Sequence, residues 1–224
     1  MDIFNKMIPI RMVNKSTTNQ KVFSIVIAMI TGIIMGLAAK LVDDPNINPI
    51  FDDIGGRLGI WVFAATILSV YSYSPKLAAV KVFAFFASML TIYYVYTTFV
   101  LHFFPERAII FWGICAVLSP ICAYIMWYAR GRGWFSNFIS ALPITILLSE
   151  GFKLRDAYLP IHHHYYLVPW LMGVYLILIV VLLLIIPKNK MQIWVILPTA
   201  IILSLIMLNF NILGRIFAGM NGVL

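Results

Sequence analysis

Glu150 is the residue whose type and position most call for a chemical explanation. The apolar run ITILL, residues 144–148, leads to it through Ser149. A carboxylate at the edge of a membrane-length segment is costly unless it pairs, accepts hydrogen bonds or faces a wet cavity. Two readings follow. Glu150 supplies charge or hydrogen bonds to a small solute, or it forms an ion pair with Lys153, one helical turn on. Other polar and aromatic residues cluster toward one end of several apolar segments: Tyr93, Tyr94, Tyr96, Thr97, Thr98 and His102, then Trp112, then Asn209 and Asn211. From these we expect a ligand pocket lined by Glu150, Tyr93, Tyr94, Trp112 and Asn209, in which the tyrosines stack and donate.

The remaining constellations carry less. His162, His163 and His164 are adjacent, and neighbours on a helix point about 100° apart, so three in a row do not converge on one metal ion. They suit an interfacial loop with Tyr165, Tyr166 and Trp170, where they could sense pH. Asp43, Asp44, Asp52 and Asp53 lack the alternation and final glutamate of a calcium loop. Cys115 and Cys122 lie seven residues apart in one apolar segment, about 10 Å along a helix and beyond disulfide reach. The motifs of serine hydrolases, zinc proteases, P-loop NTPases and dinucleotide enzymes do not occur in the sequence. The expectation is a protein that is not an enzyme, with no catalytic residue, no metal and no cofactor.

The elements that position Glu150 come from composition. The 224-residue chain is 62% hydrophobic and 11% charged, against about 25% charged for a soluble domain. That is too little charge to cover a water-facing surface. Apolar runs reach the ~20 residues that cross a bilayer as a helix. The fold class expected is all-α: a polytopic transmembrane helix bundle of about seven spans in contact with lipid. The spans read as Val22–Val42, Leu58–Ser72, Leu77–Phe103, Ala108–Ala129, Trp134–Gly151, Leu167–Ile186 and Gln192–Leu213. The fifth reads as the most polar and, at 18 residues, as one of the shortest. Residues 1–21 read as a basic arm, 22–214 as one membrane domain and 215–224 as a short tail. Pro120, Pro143 and Pro198 fall inside spans and favour kinks.

In the first span Ser24, Ala28, Gly32 and Gly36 recur every four residues. Such a stripe lets another helix backbone approach closely, within the chain or from a partner membrane protein. Of the two, docking of a partner is the reading that would carry a function, as a scaffold subunit.

Sixteen Lys and Arg against eight Asp and Glu could point to nucleic acid, but their placement fits membrane topology instead. With the N-terminus in the cytoplasm, Lys6, Arg11, Lys15, Lys21, Lys76, Lys81, Arg130, Arg132, Lys188 and Lys190 fall inside. Lys40, Arg57, Arg107, Lys153, Arg155 and Arg215 fall outside, with every acid except Asp2. The positive-inside rule therefore predicts N-in, C-out.

Trp61, the turn Ser74-Pro75-Lys76, Tyr93-Tyr94, Ser119-Pro120, the connection Arg130-Gly131-Arg132-Gly133, Pro143 and Glu150 together resemble a family of small bacterial multi-span membrane proteins of unknown function. The resemblance covers roughly residues 32–151 and implies a bacterial inner membrane. More loosely, the chain is similar to the substrate-binding subunits of energy-coupling-factor vitamin transporters. Those are small helical proteins with an outward pocket and a small-residue stripe on the first helix, but they usually have six spans. That likeness implies small-molecule binding or transport.

Overall fold

Several helices are started by local sequence alone. Thr17 and Gln20 bond reciprocally through side chain and backbone, at 3.0 and 3.3 Å, which satisfies amides that the first turn leaves without partners. Ser74 accepts from the Leu77 amide at 3.2 Å, with Pro75 in the first helical position. Asn189 and Gln192 form a second such box. The computed structural model describes residues 11–42, 56–102, 104–157 and 165–217. Its helices are α1 (Thr18–Val42), α2 (Leu58–Val70), α3 (Pro75–Phe99), α4 (Glu106–Met126), α5 (Trp134–Ala157), α6 (Val168–Ile185), α7 (Lys190–Asn209) and α8 (Ile212–Phe217). A 3-10 turn, Trp127–Arg130, ends α4, and another, Tyr165–Leu167, precedes α6.

The all-helical bundle is as expected, and six helices, α1 and α3 to α7, are long and apolar enough to cross a membrane. The seventh apolar segment differs in kind. α2 has 13 residues, about 20 Å of rise against a hydrocarbon core of about 30 Å. α2 is the shortest of the seven apolar segments. α5 runs on for 24 residues, because Phe152, Lys153 and Leu154 continue the helix past Gly151.

Packing makes α5 the centre. Within its apolar window 61% of the residues are buried inside the protein, against 17% for α1. Ile139, Ala141, Ile144, Leu147 and Leu154 of α5 pack with Leu171, Tyr175, Ile179 and Leu182 of α6 and Ile196 and Ala200 of α7. A second cluster joins Ala28 of α1, Trp61 of α2, and Phe85 and Met89 of α3. α2 touches α3, α4 and α5, so the short helix bridges the α1–α3–α4 group and the α5–α6–α7 group.

The small-residue stripe of α1 is used within the chain. Ala28, Gly32 and Gly36 are buried and Ser24 is half-buried. A Cβ at Gly32 would collide with the Phe85 carbonyl and the Ser88 hydroxyl, and one at Gly36 with the Met89 carbonyl. The surface expected for a partner helix is thus occupied by α3, because the missing side chains let the two backbones meet. The other faces of α1 carry exposed apolar groups such as Phe23, Ile30 and Ile34.

Pro120, Pro143 and Pro198 lie inside α4, α5 and α7. Pro120 cannot donate to the Ala116 carbonyl, four residues back. The neighbouring Ser119 hydroxyl does so instead, at 2.8 Å.

Candidate functional site

A helix that begins inside a bundle exposes its first amides where water cannot satisfy them. α2 begins in that way. The Leu58 amide donates to Glu150 Oε1 at 3.1 Å and the Gly59 amide donates to Glu150 Oε2 at 2.7 Å. The Tyr175 hydroxyl, from α6, donates to the same Oε2 at 2.9 Å. Arg57, the residue before α2, lies close enough to act electrostatically on the carboxylate. Glu150 is 6% exposed. It stands sixteen residues after Trp134, about 24 Å along α5.

This arrangement unites three helices through one side chain. The carboxylate places negative charge at the positive end of the α2 dipole and ties it to α5 and α6. Gly59 makes the approach possible. A Cβ there would collide with Glu150 Oε2 and lie 2.9 Å from Tyr175 Cε1. Beside Glu150, the Ser149 hydroxyl is fully buried and has no hydrogen-bond partner among the described residues. A wholly buried, unpaired hydroxyl is uncommon in proteins and marks a polar position open to a further partner.

The ion pair expected between Glu150 and Lys153 does not form. Lys153 donates to the Asn211 side-chain oxygen instead, since α5 turns the two residues toward different neighbours. The other expected pocket residues lie on separate seams. Tyr93 carries the Lys40 ammonium 5.0 Å from its ring centre and meets Tyr94 edge-on at 5.2 Å. Tyr94 faces an open groove with Thr91, Thr98, Phe104 and Ile109. Trp112 packs against the Trp61–Phe85 cluster, and Asn209 is exposed at the end of α7. Cys115 and Cys122 are free thiols on α4. The histidines 162–164 and the acids 43, 44, 52 and 53 lie outside the described residues.

The residues that sequence reasoning missed are Tyr175 and the pair Leu58–Gly59. Tyr175 left a signal: it is the single hydroxyl in the apolar segment 168–185. The Leu58 and Gly59 amides left none, because a backbone donor has no residue type.

The opposite end of α2 is closed by Arg11, from the segment before α1. Its guanidinium donates to the Val70 carbonyl at 2.8 Å and to the Trp127 carbonyl, and lies 4.2 Å from the Trp127 ring centre. Trp127 Nε1 donates to the Ser72 carbonyl at 2.7 Å, and the Asn14 amide donates to the Tyr73 carbonyl at 3.0 Å. Part of the basic arm is therefore docked on the bundle. Burial and then the Arg130 charge push the Arg11 guanidinium down to about 10, so it stays protonated at neutral pH. These contacts gather the start of α1, the end of α2, the start of α3 and the end of α4 at one face. α2 thus runs antiparallel to α1 and α3. No protein-family model, curated protein or solved structure matches the chain.

Proposed function

We propose that this multi-pass membrane protein binds, or helps to move, a small solute at the N-terminus of α2, with Glu150 as the group that responds to it. The observation that carries this reading is the Glu150 carboxylate held on the first amides of a short helix inside the bundle. A helix N-terminus is an anion site, and half-helices that end within the membrane present such sites to solutes in many transporters. Here Glu150 fills the site from within the chain. A solute bearing a carboxylate or similar anionic group competes for the same amides, and displacement of Glu150 loosens α5 from α2 and α6. The buried, unpaired Ser149 hydroxyl one residue before it adds a second polar group at this level of α5.

The distribution of basic residues supports a cytoplasmic Arg11 face, with Lys15, Lys76, Arg130, Arg132, Lys188 and Lys190 on that side. The solute then enters from the outer face, in keeping with a bacterial plasma membrane. Occupation of the α1 stripe by α3 favours this reading over a scaffold role for that stripe.

The experiment is purification in mild detergent, followed by mass spectrometry of small molecules released from the wild type and from Glu150→Gln. Size-exclusion profile and helical circular dichroism serve as controls for folding. A solute carried by the wild type and missing from the folded variant is the expected outcome. Equal retention by both, or retention by neither, removes Glu150 from solute binding.

A further inference from the structure

The Arg11 face holds a cluster of like charge that the solute reading does not use. Arg130 acts electrostatically on Arg11, and Arg11, Arg130 and Arg132 all act on Lys188. Partial burial and these three cations hold the Lys188 ammonium below its ordinary range. The acidic residues among the described ones are Glu106, Glu150 and Asp156. Glu106 opens α4, twenty-one residues before Trp127, about 30 Å away along the helix. Glu150 is engaged at the far end of α2. Asp156 stands near the end of α5, twenty-two residues after Trp134, so none of the three can neutralise the cluster.

The four cations are not equivalent. Arg11 has both terminal nitrogens on backbone carbonyls. Arg130 lies 5.1 Å from the Tyr71 ring centre, and its Nε is buried with no hydrogen-bond partner among the described residues. Arg132 and Lys188 are exposed beside it. A half-buried guanidinium stacked on an aromatic ring, with an unpaired N–H and two exposed cations nearby, is suited to a tetrahedral oxyanion. Its depth is marked independently. Trp134 at the start of α5 and Trp194 in the first turns of α7 are 78% and 77% exposed, as tryptophans are where a bilayer meets water. That is the level of the lipid phosphates.

We propose that Arg130, with Arg132 and Lys188, forms a binding site for the phosphate of an anionic phospholipid headgroup at the Arg11 face. Arg11 acts as a positioning residue: it holds Val70 and Trp127 together and thereby sets the turn that carries Arg130.

Native mass spectrometry and thermal melting in an uncharged detergent test this, with phosphatidylglycerol, phosphatidylcholine and inorganic phosphate as separate probes. The wild type retains phosphatidylglycerol over phosphatidylcholine and melts higher with it. Arg130→Gln weakens that retention about fivefold, and Arg130→Gln with Lys188→Gln weakens it further, as loss of one basic contact at a time predicts. Lipid-free melting is unchanged in Arg130→Gln, because that side chain holds no backbone carbonyl. Arg107→Gln with Arg155→Gln, at the opposite face, leaves retention as in the wild type. Equal retention of the two lipids, or an unchanged preference in the Arg130→Gln, Lys188→Gln variant, overturns the site. An equal loss in the opposite-face variant does so too. Stabilisation by inorganic phosphate equal to that by phosphatidylglycerol overturns the lipid as the source of the phosphate.

Discussion

The two ends of α2 meet the same problem with opposite charges. At the start, Glu150 accepts the Leu58 and Gly59 amides. At the finish, Arg11 donates to the Val70 carbonyl. Each charge complements the local sign of the helix dipole. The difference lies in what surrounds them. Glu150 comes from the centre of the bundle and meets two amides, the Tyr175 hydroxyl and the nearby Arg57 charge, so its carboxylate is met by donors where it sits. Arg11 comes from a segment outside the bundle and stands among cations, so that end keeps surplus charge. One end is a closed polar lock within the membrane. The other is an anchored but still electropositive face at its edge.

Mutations can break or sharpen that contrast. Glu150→Ala removes the acceptor of two helix amides and, with it, the Tyr175 hydroxyl bond to α5 in a dry environment, and we expect a loss of about 3–5 kcal/mol, read as a lower melting point in detergent. Arg11→Ala removes charged hydrogen bonds to two carbonyls that lie nearer water, and about 2 kcal/mol is expected. If Arg11→Ala proves the more damaging, the Glu150 end is not the principal lock. Tyr175→Phe removes one of three donors to Glu150 and should cost about 1 kcal/mol. Added to Glu150→Ala it should cost almost nothing more, since the two share one interaction. Lys153→Ala is the smallest, at most about 0.5 kcal/mol, because its partner is Asn211 in an exposed contact. A loss as large as that of Glu150→Ala would restore the Glu150–Lys153 ion pair.

Much of this was legible in the residues. The spans expected to begin at Leu58 and Trp134 do begin there, and the apolar runs identify the six span-length helices. Glu150 stood out because an acid beside ITILL needs a partner somewhere. Its partner could not be read. Lys153 was the nearest opposite charge along the chain, whereas the contacts that form reach residues 58, 59 and 175. The pocket drawn from Tyr93, Tyr94, Trp112 and Asn209 relied on shared depth. Depth says nothing about which seam of the bundle a side chain enters, and the structure places them on different seams.

Composition and periodicity thus determined that the chain is a helical membrane protein, because the energy of moving apolar side chains and backbone into lipid depends on residue type and run length. They also marked Gly32 and Gly36 as points of close approach, because that needs only the absence of a side chain. Tertiary structure alone decided that α3 fills that stripe and that α5 is the centre. It alone decided that the two ends of a 13-residue helix are closed by Glu150 and Arg11. Those outcomes depend on backbone amides and carbonyls, which every residue carries alike and which only the folded chain brings within reach of a particular charge.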